Sequence, residues 1–222
     1  MKLNTITKFV LLAHDPVKGK FLIPDFYINY GIIGSLLIEM NLEHLIKLDN
    51  HLVIPISHHA IKNEIFFEIL TKIGSSKKPR RIKYWIKKLS PNSKKYKEEI
   101  LTILNQEHII RIEHKRFIGI FSYKKSYIVN NDLREEIIYH LKDAVLSSNK
   151  ISNEDLLILS LIRACNMHHI LSDNKEELKH ICKALDQVMK LSPISADLEK
   201  IIVEIQTALI ATIAISSNTS YT

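Results

Sequence analysis

The chain has 222 residues, 46% hydrophobic and 25% charged, with five glycines, six prolines and two cysteines. One sizeable core is affordable at that length, whereas an all-β fold of tight turns lacks its turn formers. Cys165 and Cys182 form no disulfide framework, which makes a reducing compartment the expectation, and the formal charge of +7 points to an anionic partner.

In chain order, the Met1 end carries no apolar signal region, since Thr5 to Leu12 is short and runs at once into His14-Asp15-Pro16. Residues 6–12 fit a buried strand or a short helix, and Asp15 to Gly19 is turn chemistry. Phe21-Leu22-Ile23-Pro24-Asp25-Phe26-Tyr27 is apolar but broken by Pro24. It reads as a loop, either packed on the core or exposed, and in the second case suited to dip into a lipid interface with its aromatics at headgroup depth. From Asn29 to Leu45 the spacing is helical, with Ile32, Leu36, Ile38 and Leu42 marking a largely buried element. Gly31 and Gly34 lie one turn apart and suit close helix packing. Lys47 to Ile56 reads as a strand pair or extended connection, and residues 60–73 as a helix stopped by Gly74.

The stretch from Ile69 to Lys97 is the most informative. It holds eleven Lys or Arg and no Asp or Glu, so the rest of the chain sums to about −4. A basic helix is expected from Pro79 to Leu89, with Ile82, Trp85, Ile86 and Leu89 inward. Lys77, Lys78, Arg80, Arg81, Lys83, Lys87 and Lys88 then form a basic surface. Ser93 is a suitable N-cap for a second helix from Lys94 to Asn105. Lys94 and Lys97 lie three apart in its first turn, joined by Lys95, where acids would ordinarily be favoured. A phosphate there would meet two ammonium groups and free backbone amides.

His108–Glu113 and Phe117–Tyr123 are strand-like and read as a hairpin tipped by His114-Lys115-Arg116. Its Phe117, Ile118, Ile120 and Phe121 carry more apolar surface than a lone ribbon hides. Helices are expected over about 132–148, 153–171, 174–190 and 195–216, with Asn153 and Asp173 or Asn174 as caps. Ala208 to Ile215 is the longest late apolar run, well below the ~20 residues of a membrane span. No repeat or long linker appears, so residues 1–222 read as a single domain, mainly α, with a helical core, a β-hairpin and short strands.

Enzymatic chemistry finds little support. No phosphate-cradling Gly-x-x-x-x-Gly-Lys loop or Gly-x-Ser-x-Gly elbow is present. Glu98-Glu99 and Glu135-Glu136 are adjacent rather than facing. His58-His59, His168-His169, Cys165 and Cys182 suggest a metal, but His180 and Cys182 point about 200° apart on a helix and no familiar ligand pattern is completed. No metal, cofactor or catalytic residue is expected. Two helices followed by a basic hairpin also match a winged helix, the alternative reading. Its second helix offers only Thr102, Asn105 and Gln106 to base edges beyond Glu98-Glu99, so nucleic acid is the less favoured partner.

Leu11-Leu12 through Asp15, Gly19 and Phe21, then Gly31-x-x-Gly34 into Leu37-Ile38-Glu39, then Lys78-Pro79-Arg80 with Trp85-Ile86, follow one another in a familiar order. Together with Ile109-Ile110, the hairpin and the helical second half, they resemble the Golgi phosphoprotein 3 family over about Phe9 to Ala214, and its minimal, bacterial-type members in particular. The resemblance implies a mainly helical single domain, peripheral to membranes on the cytoplasmic side, that binds phosphatidylinositol 4-phosphate-like headgroups. It places two basic headgroup residues on Lys94 and Lys97. The family's pocket tryptophan falls at or beside Pro24 and a further arginine falls on Ile33. Phe21, Leu22, Ile23, Pro24, Phe26 and Tyr27 correspond to the segment that enters the bilayer, and the hairpin to a self-association element. The expected partners are thus an anionic phospholipid surface and a second copy of the chain.

Overall fold

The computed structural model describes residues 3–56, 61–117, 121–147, 151–191 and 196–218. Helix α1 (Thr5–Leu12) settles the strand-or-helix ambiguity at the start of the chain: the Asn4 side chain accepts the Thr7 N–H at 3.0 Å, a cap that a strand would not need. Helix α2 (Asp25–Leu42) follows, four residues earlier than its periodicity suggests. Pro24 sits just ahead of it, where a missing N–H costs nothing and a fixed φ suits helix entry. Only the first half of the 21–27 segment is therefore loop. Phe26 and Tyr27 belong to the first turn of α2.

Ile28, Ile32, Ile33, Leu36, Ile38 and Met40 of α2 are fully buried, so the helix is apolar around its whole circumference and runs through the centre of the protein. Neighbours approach it closely where side chains are missing. A β-carbon on Gly31 would lie 2.1 Å from Cζ of Phe9 in α1, and one on Gly34 would lie 2.0 Å from Cδ1 of Ile205 in α9 (Ala196–Asn218). Ile33, on which the resemblance places a family arginine, is part of this core.

Strands β1 (Ile46–Asp49) and β2 (Leu52–Pro55) form the expected antiparallel pair. Asn50 and His51 between them both have positive φ, as a two-residue hairpin turn requires. After α3 (Glu64–Gly74) the chain adds the two-residue β3 (Arg80–Arg81) to the free edge of β2. The basic helix α4 (Ile82–Leu89) is thus shorter than expected by a turn. Its inward set is as expected, with Ile82, Trp85, Ile86 and Leu89 all buried.

A 3-10 turn (Ser90–Asn92) leads directly into α5 (Ser93–Gln106). Ser93 is consequently not the cap. Its backbone is already helical, and its N–H donates to the Ser90 carbonyl. No side chain caps α5.

The long hairpin pairs β4 (Ile110–Phe117) with β5 (Phe121–Ile128). His114, Lys115 and Arg116 lie inside the ladder opposite Lys124, Tyr123 and Ser122, and are not its tip. Of these, Lys115 shares a face with Arg111 and Glu113, and the Glu113 carboxylate lies 2.6 Å from the charged nitrogen of each. The described ladder closes with Phe117 opposite Phe121. Ile118 and Ile120 lie outside the described residues, as do the side-chain positions of Phe117 and Phe121.

The second half is helical as expected: α6 (Asn131–Leu146), α7 (Asn153–Ala164), α8 (Lys175–Leu191) and α9. The single helix expected over 153–171 instead stops at Ala164. Asn166 takes a left-handed φ of 54°, and a separate 3-10 turn spans His168–Leu171. Ser152, rather than Asn153, caps α7. Asn174 accepts the Glu176 and Glu177 amides at the head of α8.

Candidate functional site

The α1–α2 connection is a folded loop. Asp15 Oδ1 accepts the Val17 and Lys18 amides at 2.9 and 2.8 Å, and the Asp15 N–H donates to the Lys20 carbonyl. Burial pushes the Asp15 carboxyl up, but the two amides prevail and hold it below its usual range. Gly19 takes a φ of 60° beneath the Tyr127 ring, which presents Lys20 and Phe21 towards α5. His14 pins the same loop to the hairpin. Its Nε2 lies 2.7 Å from the Ser126 carbonyl oxygen, which fixes the proton on Nε2, and burial holds the imidazole below its ordinary pKa.

Loop, α5 and hairpin enclose a cavity of about 810 Å3. Lys20 comes from the loop, Lys94 and Lys97 from α5, and Lys124 and Lys125 from β5, so five lysines converge from three elements. Phe21, Ile23, Leu101 and Ile112 supply apolar wall, and Asp25 and Glu98 are the lining carboxylates. The size is that of a small-molecule site. Lys97 is the best-fixed cation, only 18% exposed, with its ammonium 5.3 Å from the centre of the Phe21 ring and 3.6 Å from Asp25 Oδ1. Lys124 Nζ lies 3.8 Å from Glu98 Oε2.

Lys94 and Lys97 are thus brought together, and Lys95 is not. Its ammonium turns to Glu68 Oε2 at 2.6 Å, with Glu99 at 3.7 Å, beside a second groove of about 880 Å3 between α3 and α5. Burial raises the Glu68 carboxyl, but hydrogen bonds from Lys72, Lys95 and Tyr96 overcome it and hold the group at about 2.

Among the apolar segment's members, Ile23 is turned inward at 7% exposure, Phe21, Leu22, Phe26 and Tyr27 are half-buried, and Pro24 is exposed. Ile23 therefore belongs to the core and cavity wall in this conformation, because α2 begins immediately after Pro24. Lys77, Lys78, Arg81, Lys83, Lys87 and Lys88 are exposed, and Arg80 lies 5.0 Å from the Tyr84 ring. None of them lines the cavity.

Lys20, Lys124 and Lys125 escaped sequence reasoning. The signal available was a basic residue following the Asp15–Gly19 turn, and a lysine pair in the returning strand. Cys165 is fully buried at the end of α7, with its thiol raised by burial. His58 and His59 lie outside the described residues. No three His, Cys, Asp or Glu side chains converge as metal ligands among the described residues, and no helix there is long and apolar enough to cross a membrane.

The sequence profile of the Golgi phosphoprotein 3 (GPP34) family matches residues 7–205, which is nearly the whole chain. The chain belongs to this family. No curated protein matches it in sequence. The mainly helical architecture with two small antiparallel sheets is that of a Golgi phosphoprotein 3 domain. The family is one of lipid-binding, adaptor-type proteins.

Proposed function

We propose that this Golgi phosphoprotein 3-family protein is a non-enzymatic, peripheral membrane protein that binds anionic phospholipid headgroups in the loop–α5–hairpin cavity. The observation that carries the reading is the convergence of Lys20, Lys94, Lys97, Lys124 and Lys125 on one headgroup-sized space. Charge-assisted hydrogen bonds to phosphate are the strongest polar contacts available to such a site. Phe21, Leu22, Phe26 and Tyr27 beside its mouth would meet the interfacial zone of the bilayer. The α4 basic surface, from Lys77 to Lys88, adds long-range attraction of about 1 kcal/mol for each residue close to an anionic bilayer. A phosphatidylinositol 4-phosphate-like headgroup fits this chemistry, and the protein acts from the cytoplasmic side. Self-association through the hairpin end at 117–121 would hold two such surfaces on one membrane, and a strictly monomeric mass at high micromolar concentration would rule it out.

The test is flotation with vesicles of increasing anionic content, run beside a titration with duplex DNA. The expected result is vesicle binding that rises with anionic lipid and weakens with salt. Sequence-specific duplex binding without vesicle binding would overturn the reading and favour the winged-helix alternative.

A further inference from the structure

His14 stands behind the cavity wall and joins the loop to β5. It is fully buried, at 0% exposure. Its Nε2–H is shared between the carbonyl and hydroxyl oxygens of Ser126, at 2.7 and 2.9 Å, and its ring meets Phe21 edge to face at 4.7 Å. Lys97 of α5 rests on that same Phe21 ring. The loop follows His14 as one piece. The Leu22 N–H donates to the Ala13 carbonyl, the Asp15 N–H donates to the Lys20 carbonyl, and His14 pairs with Phe21 as a β-bridge. One side chain thus sets the loop that carries Lys20 and Phe21 against the strand that carries Lys124 and Lys125.

The neutral ring fits this place and the charged ring does not. Nδ1 is buried without a hydrogen-bond partner among the described residues, so a proton there is an unpaired charged donor. Burial is the largest influence against it; the Ser126 carbonyl and Asp15 favour the charged ring, while Arg134 of α6 and Lys97 of α5 oppose it. Arg134 is itself buried, donates to the Leu12 carbonyl and is a permanent cation. An imidazolium is relieved by leaving this place for water, and the loop leaves with it. Repulsion among the five lysines then spreads them. The locked loop holds its full advantage above the ordinary histidine value of 6.5 and loses it progressively as pH falls below that. Resting on the proposed headgroup site, we infer that His14 is its positioning residue: the neutral imidazole locks Lys20 and Phe21 against Lys124 and Lys125, and protonation of the ring unlocks them, so that the protein releases anionic headgroups on acidification.

The experiment measures binding to phosphatidylcholine vesicles carrying a fixed fraction of phosphatidylglycerol, from about pH 8 down to about pH 5, the range in which histidine titrates. The phosphodiester of that lipid keeps its charge throughout. Wild type is compared with His14→Gln, which keeps an N–H donor of similar reach and takes no proton, and with His14→Leu, which has no donor. At the upper end His14→Leu is expected to bind about tenfold more weakly than wild type, for want of a buried hydrogen bond, and His14→Gln to recover most of that loss. On acidification wild type should lose about tenfold against His14→Gln. The other ten of the eleven histidines gain charge in both proteins and cancel in the ratio. In wild type alone, imidazole nitrogen NMR should place the His14 proton on Nε2 at the upper end, and the loss of vesicle binding should follow that ring's titration. This readout stands even if neither variant folds. A constant ratio, or a loss of binding while His14 stays neutral, would overturn the inference and leave the headgroup site intact. Wild-type protein that binds no phosphatidylglycerol vesicle at any pH would remove the headgroup site itself, and the inference with it.

Discussion

Gly34 of α2 and Ile205 of α9 meet so closely that a β-carbon on the glycine would lie 2.0 Å from the isoleucine Cδ1. The two helices pack backbone to side chain at this point, and overpacking a well-filled core costs about 1–3 kcal/mol. Gly34→Ala is expected to destabilise the protein by that amount in chemical denaturation. Ile205→Val removes the offending Cδ1 and should recover part of the loss in the double variant. Gly31→Ala, which meets Phe9 instead, should gain nothing from the same second change. Rescue of both alanines alike would contradict the packing described.

The cavity lysines and the α4 lysines separate a discrete pocket from general charge. Lys94→Gln/Lys97→Gln and Lys87→Gln/Lys88→Gln each remove two positive charges, so long-range attraction to acidic vesicles falls equally. Losing the cavity pair should cost more, since each charge-assisted hydrogen bond to phosphate contributes about 1.5–3 kcal/mol. The comparison is made on acidic vesicles and on a soluble phosphorylated headgroup. Indistinguishable variants in both assays would mean a basic surface and no pocket.

Ile23 distinguishes a buried wall from an exposed insertion loop. Its 7% exposure places Ile23→Ala among core truncations, with an expected loss of about 2–4 kcal/mol of stability in a urea melt. An exposed membrane-inserting side chain would leave the soluble protein's stability within about 0.5 kcal/mol of wild type.

Glu68 predicts an acid-sensitive contact between α3 and α5. Its carboxylate accepts hydrogen bonds from Lys72, Lys95 and Tyr96, which hold the folded group at about 2, below the ordinary value of 4.5. A depressed carboxyl contributes stability that is complete above the unfolded value and is lost as pH falls towards the folded one. The loss should therefore run from about pH 4.5 down to about 2, and amount to about 1–2 kcal/mol after allowance for solvent reaching the group. Glu68→Gln should lower stability at neutral pH and flatten this part of the pH profile. An unchanged slope would exclude the network as its source.

The helical character of the chain, the buried circumference of α2, the close approach at Gly31 and Gly34, and the inward face of α4 were all legible in sequence. Each depends on side-chain spacing along one helix, and a helix turns by a fixed angle per residue. The acid-free basic run was equally plain, as was the pairing of Lys94 with Lys97 on one face. What the run could not reveal was where its charges lead. Lys95 sits about 200° around α5 from Lys97, and in the fold it meets Glu68 of α3. Lys20, Lys124 and Lys125 reach the same cavity as Lys94 and Lys97 from a loop and a strand far along the chain. Neither the convergence nor the diversion leaves a periodic trace, because each is a contact between elements. The hairpin's extent differs from the sequence expectation for a related reason: Lys115, one of the three charges expected at its tip, is paired along the strand by Glu113. Local spacing determined which residues face inward. Only the packing of loop, α5 and hairpin decided which cations share a site, since electrostatic attraction acts through space and has no regard for sequence order.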